Sequence, residues 1–524
     1  MKPKLLIIMS FIVFLFTTGC SGGTSTETDP AVISLPATEA QTSFSSTEPV
    51  PDMESESGPE PVAISDNTRP VNVFSLCVTL NDSEHKLTVS QNLIYYNNTG
   101  TILSEIYFNL IPEAFKNDGG GTQMGDILVA GEKCEMTQVQ STVYKLVLPT
   151  NLEIDEKLEI QMEYDVSIPN IQNRFGYQDK VFNLGNFIVT PAMYGADGWM
   201  QQPYVDLGDA FFTDIGDYDV KIIVPEGYIV AATGQELEVG SGLYHAENVR
   251  DFAFCTSPSY ETISETYDGV SIVVYYNDGI SQTAEHVMDS AKKSLDLCGE
   301  KFGKYPYNTL SLVMNGLTGG VNGMEYPTLV MLSPDPPLEH LIDYGVDLSN
   351  SEEAAPYIFQ IDSAVCHEIA HQWFYNIVGN DQITEPWIDE GLCRYTEYLY
   401  EKAYPPTSVH ESTYRLVDRF MDRYAALSGL SAKAGMSYAP DTTDLNQSLY
   451  DWAKDDPMGY GEIYDKGASL IYQMEQQMGG EAFDTAIKEF VDRFAFGTVS
   501  TEDFVNFWSE KDDFSELFSL YLNR

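Results

Sequence analysis

Positive charge is what this 524-residue chain has least of. Its 28 Lys plus Arg stand against 79 Asp plus Glu, a formal charge of −51. A phosphate backbone needs a basic face, so the balance argues against nucleic acid as a partner. It argues equally against electrostatic docking on anionic lipid. Histidine is scarce, with seven in the whole chain. Cysteine also numbers seven, without any CxxC pair. A chain of this size does not need disulfides to stabilise its core. Cys77, Cys134, Cys255, Cys298, Cys366 and Cys393 therefore read as buried free thiols, although an export route would permit bridges. Long apolar runs are missing too. Residues 5–16 form a run of about twelve, where a membrane-spanning helix needs roughly twenty. What is present is 43% apolar and 12% aromatic residues, enough for real cores and for two or three domains.

Lys2 and Lys4 precede the short apolar run, and Thr17-Thr18-Gly19-Cys20 follows it. This resembles a bacterial lipoprotein signal, with Thr17 where Leu is usual; the alternative is an ordinary secretory signal with a chance Cys. The resemblance implies cleavage before Cys20, lipidation of Cys20, and an extracytoplasmic protein anchored to a membrane through lipid alone. Loss of the two lysines takes the charge from −51 to −53. Residues 21–69 are rich in Ser, Thr, Pro and acid, with Phe44 as the sole aromatic and no Lys or Arg before Arg69. Such a segment cannot bury enough apolar surface to offset chain entropy. It reads as a disordered tether with a reach of roughly 35–40 Å.

The body changes character once. Segments 71–80, 86–96, 143–148, 157–166, 218–224 and 270–276 are short, β-branched or aromatic, and separated by turn residues. They predict a β-sandwich over 70–278. From 279 the period turns helical, first over 284–302. Strands followed by helices predict two domains, 70–278 and 279–524.

His367-Glu368-Ile369-Ala370-His371 carries the chemistry. On a helix, residues four apart share a face, so both imidazoles can reach one metal. Hydrolytic zinc takes three protein ligands and keeps one position open. Glu390, nineteen residues after His371 in Trp387-Ile388-Asp389-Glu390-Gly391, is the candidate third ligand. The Gly379-Asn380-Asp381 turn lets a second helix fold back to deliver it. Glu368 is placed as the general base, taking a proton from water and passing it to the leaving amine. Glu397 lies seven residues after Glu390, on the same helix face, where it can accept a hydrogen bond from a ligand imidazole. Cys366 and Cys393 flank the ligands and read as packing. His85, His245, His286, His340 and His410 stand outside any ligand spacing.

The run from His367 through Gln372-Trp373-Phe374, then 387–391, is similar to the aminopeptidase N family of zinc metallopeptidases. Gly320-Val321-Asn322-Gly323-Met324-Glu325-Tyr326 resembles that family's Gly-x-Met-Glu-Asn segment, and Ile463-Tyr464-Asp465-Lys466-Gly467-Ala468 its Tyr-Glu-Lys-Gly segment. Tyr218-Asp219-Val220 and Arg250-Asp251-Phe252-Ala253 are weaker matches in the first half.

The resemblance implies a multidomain α and β protein. An N-terminal antiparallel β-sandwich would precede a thermolysin-like, mainly helical zinc-peptidase domain. It implies one zinc per chain, Tyr464 as a phenol donor to the developing oxyanion, and Glu325 as the carboxylate that captures a substrate's α-ammonium. Gly323 and Met324 would line the substrate. Tyr326 departs from the usual Asn. A second anchor from the first half is usual, and Gln201 or Gln202 is conceivable. Many relatives carry a long helical C-terminal domain; here about 55 residues follow Ser469, which predicts a more open cleft. The expected activity is release of N-terminal residues from peptides with a free N-terminus. A thermolysin-like zinc endopeptidase and a catalytically inert peptide-binding lipoprotein are the alternatives. The acidic charge would then favour cationic peptides.

Overall fold

Period-two alternation builds the first half. In the strand Lys86–Tyr96, Leu87, Val89, Gln91, Leu93 and Tyr95 are buried while the residues between them face outward. The computed structural model describes residues 69–317, 322–405, 415–428 and 444–523. Cys20, the tether, Gly320, Val321 and His410 lie outside them. Lys86–Tyr96 pairs antiparallel with Asn72–Asn81 on one side and Lys157–Ser167 on the other, within an eight-stranded sheet. Gly216–Ile223 lies parallel to Asn72–Asn81. The sheet is therefore mixed, which corrects the expectation of a purely antiparallel sandwich. The chain between 81 and 216 is long enough for the crossover that a parallel pair requires. The inner face of this sheet shares one apolar core with Leu103–Asn109, Val143–Leu152, Val181–Leu184 and Phe254–Ser257, which belong to two four-stranded sheets.

The second half opens with a sheet that its helical periodicity did not suggest. Tyr260–Tyr267, Val270–Asn277, Thr309–Met314, Leu329–Leu332 and Gly323–Met324 follow one another across it. Val270–Asn277 runs parallel to Thr309–Met314, and its buried Ile272 and Val274 share a core with helix α1 (Ser281–Phe302). The hydrogen bonds of these strands thus run across the expected join at 278/279. Gly323–Met324 is the edge strand, antiparallel to Leu329–Leu332.

Helices α2 (Ser351–Ala370), α3 (Trp387–Ala403), α4 (Leu416–Leu427), α5 (Leu449–Asp455), α6 (Glu462–Met478), α7 (Gly480–Phe494), α8 (Thr501–Ser509) and α9 (Ser515–Leu522) complete this half. Their apolar faces join the core that Val270, Ile272 and Val274 also enter. Among the described residues no helix is long and apolar enough to cross a membrane.

Candidate metal centre

His367 lies in the last turn of α2 and His371 caps it, with the His371 N–H bonded to the His367 carbonyl. The negative end of the helix dipole faces the pair and favours positive charge there. The chain turns back where Asp381 Oδ1 accepts from the N–H groups of Ile383 (3.0 Å) and Thr384 (3.2 Å). α3 then carries Glu390 in its first turn. His367 Nε2 ends 3.1 Å from both His371 Nε2 and Glu390 Oε2, and His371 Nε2 lies 3.6 Å from that same oxygen. The three ligand atoms lie within 4.8 Å of one another. The other ring nitrogens are engaged, His367 Nδ1 with Glu397 Oε1 (2.9 Å) and His371 Nδ1 with the Phe374 carbonyl (3.0 Å). Both Nε2 atoms are thereby aimed inward at one point. Two imidazoles and a carboxylate converging in this way fit a divalent cation of the zinc type.

Without metal, the two imidazoles hold protons and the Glu390 carboxylate does not. Burial alone would lower His367, but its hydrogen bonds to Glu390 and Glu397 lift it to about 10. Burial would also lower His371, yet Cys393 and Glu325 push it well above the imidazole range. Burial would raise Glu390, but the hydrogen bonds from the two imidazoles hold it far below the usual carboxylate range.

Glu368 is buried, and its Oε2 has no hydrogen-bond partner. Burial lifts its carboxyl to about 7. A side chain at Gly323 would overlap the Glu368 carboxyl, so the edge strand can approach only because residue 323 has no Cβ. Met324 is buried beside it. Glu325 follows, buried, with Oε1 accepting from Gln382 Nε2 at 3.2 Å. Burial first, and then the Asp209 carboxylate, push Glu325 well above its ordinary value.

Tyr464, on α6, donates its hydroxyl to Glu390 Oε1 at 2.7 Å. Burial and the Glu390 charge keep that phenol protonated. α3 and α6 meet here at two glycines: a Cβ on Gly391 would stand 2.9 Å from Gly467 Cα, and one on Gly467 would stand 2.8 Å from Gly391 Cα. Glu397, which holds His367, accepts from Arg394 Nη1 at 2.6 Å and from the Ser363 hydroxyl. Arg394 Nε also donates to Asp465 Oδ1 at 3.0 Å, and Arg419 pairs with the same carboxylate. One guanidinium thus joins the ligand helix α3 to the residue beside Tyr464.

The spacing arguments did not single out Arg394, Asp209, Gln372 or Gln382. Gln372 directly follows the HExxH run, and its Oε1 accepts from the Thr328 N–H (2.8 Å) while its Nε2 donates to the Tyr326 carbonyl (3.2 Å). Gln382 bridges Glu325 and Asp389. Asp209 comes from the first half, paired with Arg174. Gln202 bonds Asp381 Oδ2 at 2.7 Å, and Gln201 is exposed. Arg250, from the weakly matched Arg250–Ala253 segment, is buried and donates to the carbonyls of Tyr375 (2.5 Å) and Asn376 (3.2 Å) in the loop after α2.

Cys366 and Cys393 are buried against carbonyls, outside the ligand set. All six described cysteines are free, but Cys77 is exposed and Cys134 half-buried, so not all of them are core residues. His85 stacks on Tyr177, His245 bonds Asp219 and Glu247, and His286 bonds Asp362.

Residues 286–521 match the Peptidase family M1 domain. Aminopeptidase M1-B of Oryza sativa subsp. japonica is 30% identical over 239 residues, which are 45% of this chain and 25% of that protein. Alanine/arginine aminopeptidase of Saccharomyces cerevisiae is 22% identical over 346 residues, 63% of this chain and 37% of that protein. The chain thus spans between 25% and 37% of the length of these relatives. The M1 zinc metallopeptidase from Deinococcus radiodurans has a similar fold, with a TM-score of 0.57 at 17% identity over 86% of this chain and 92% of that one. A mutant of it bound to a Tyr-Ser-Ala substrate gives 0.56 at 18% identity over 87% and 94%.

Proposed function

We propose that this chain, whose residues 286–521 match the Peptidase family M1 domain, is a zinc aminopeptidase of that family. It would release N-terminal residues from peptides with a free N-terminus, held outside the cytoplasm by lipid on Cys20 and the 21–69 tether. The observation that carries the reading is the convergence of His367, His371 and Glu390 beside a buried Glu325. His367, His371 and Glu390 would hold one zinc, which supplies the Lewis acidity that activates water and polarises the scissile carbonyl.

The chain's own residues do the rest. Glu368 takes the proton from the attacking water at its unpartnered Oε2 and returns it to the leaving amine. Burial disfavours the charge of this carboxyl, which suits a group that must take a proton and then give it. Tyr464 turns its hydroxyl from Glu390 Oε1 to the developing oxyanion. Glu325 fixes the register. Burial and Asp209 disfavour its charge in the empty site, so an arriving α-ammonium is the partner that lets it ionise. Only the first peptide bond then reaches the metal.

Aminoacyl-arylamides, compared with their N-acetylated forms with and without chelator, test this reading. Turnover of the free amines alone, abolished by chelation, is expected. Equal cleavage of blocked peptides would instead establish an endopeptidase, and inertness towards every peptide a binding protein. Labelled palmitate entering the wild type but not Cys20→Ala tests the anchor separately.

A further inference from the structure

The residue that departs from the family segment, Tyr326, is not a surface irregularity. It is fully buried at 0% exposure, and its ring and hydroxyl meet Gly185 and Asn186 of the first half of the protein. Its hydroxyl donates to Asn186 Oδ1 at 2.6 Å. Asn186 in turn donates from Nδ2 to Asp251 Oδ2 at 2.9 Å, and Asp251 Oδ1 accepts from the Phe252 N–H at 2.7 Å. Every polar atom along this line is partnered, although Asn186 and Asp251 are themselves buried. Room for the phenol is made by Gly185, where any Cβ would overlap the Tyr326 ring and hydroxyl. Phe211 stacks on the other side with ring centroids 6.2 Å apart.

The segment on which Tyr326 stands, just beyond the edge strand, needs such support. Gly323–Met324 is an edge strand of two residues, with a ladder to Leu329–Leu332 on one side. Its own hydrogen bonds are too few to fix where the next side chain points. Gln372 holds the carbonyls of Glu325 and Tyr326 from the α2 side. The relay through Asn186 holds Tyr326 from the opposite side. Glu325 is held at its own carbonyl by Gln372 and lies one residue from the Tyr326 relay.

We propose that Tyr326, through Asn186 and Asp251, is a positioning residue that sets Glu325 for capture of the substrate's free amine. The proposal rests on the reading of Glu325 as the amine anchor. It makes the first half of the protein a determinant of exopeptidase register, without contact with substrate. A hydroxyl lost here leaves Asn186 Oδ1 buried and unpaired, and the relaxation falls on the segment that carries Tyr326 rather than on the metal cluster.

The test uses the full-length, zinc-loaded protein and two inhibitors, leucine hydroxamate and 4-methylpentanoyl hydroxamate, which differ only in the amino group. Their affinity ratio reads amine capture and cancels general loosening of the site. Tyr326→Phe should lower that ratio about tenfold, the effect of roughly 1.4 kcal/mol, by weakening the amine-bearing ligand alone, with zinc content unchanged. Asp251→Asn should act in the same direction. The double variant should be no worse than Tyr326→Phe, because both changes break one relay. Glu325→Gln should collapse the ratio outright. If Glu325→Gln collapses it but Tyr326→Phe leaves it unchanged, or weakens both inhibitors equally, the positioning role is overturned and the anchor stands. If Glu325→Gln leaves the ratio intact, the anchor reading fails and the proposal fails with it. Additive losses in the double variant would overturn the relay through Asn186.

Discussion

The metal cluster and the proposed amine anchor are neighbours held by different parts of the chain. His367, His371 and Glu390 come from two consecutive helices and the buried loop between them. Their supports are near in sequence as well: Glu397 lies on α3, and the Phe374 carbonyl lies in the connecting loop. Glu325 stands beside a two-residue edge strand, bonded to Gln372 and Gln382 and next to Tyr326, whose own partner Asn186 is 140 positions from it. A reaction centre encoded locally survives changes elsewhere in the fold. A register encoded across two halves can be altered without touching the chemistry.

The sharpest way to separate the two regions is Glu368→Gln. Turnover should fall by about 10²–10⁴ while zinc and amine discrimination are retained, as metal analysis and the paired hydroxamates would show. Loss of zinc together with turnover would mean that this carboxylate supports the metal, and the division would blur. Arg394→Met comes next. By releasing Glu397 and Asp465 together it should weaken zinc retention about 10- to 100-fold in a chelator competition, leaving the hydroxamate ratio unchanged.

Zinc uptake should also report on the cluster alone. His367 titrates near 10 in the metal-free protein, yet a metal ligand must be neutral, so binding at pH 7 releases protons. Calorimetry in two buffers of different ionisation enthalpy should show that release, and affinity should fall as pH falls. Buffer-independent heats would contradict the protonated apo cluster.

The smallest effect belongs to the relay. Burial raises Asp251 from 3.8 to about 7 in the folded protein. The folded state therefore binds the proton more tightly. The stabilisation is full below about pH 4 and is lost as pH rises through about 7. Melting of the zinc-saturated wild type should decline between pH 5 and 8 relative to Asp251→Asn, by a few degrees. Parallel profiles would remove Asp251 as the source.

Legibility followed the same division. The HExxH spacing and the carboxylate nineteen residues on depend only on helical geometry and a turn, and the ligand atoms converge as that spacing requires. Glu397, seven residues beyond Glu390, sits on His367 for the same reason. The strands 86–96 and 157–166 were readable because one face of each is buried. The parallel pairing of Asn72–Asn81 with Gly216–Ile223 was not, since a partner 135 or more positions away leaves no local trace. In the second sheet the alternating strand 270–276 was readable, while Thr309–Met314 and Leu329–Leu332 escaped notice because they are buried on both faces and carry no alternation. Asp209, Gln382 and Asn186 act through tertiary contacts between otherwise ordinary polar residues, and no spacing rule identifies them.

The contact of Gly391 with Gly467 bears on how such an enzyme can change over evolutionary time. Where two backbones touch, the separation of Glu390 from Tyr464 is quantised: the smallest available mutation adds a methyl group, and there is no room for one. Adaptation by small steps is closed at that crossing. Beyond the edge strand the fit is different, because there the bulky Tyr326 packs over Gly185 through a side chain and not through a second backbone. Gly391→Ala or Gly467→Ala is therefore expected to push the two helices apart.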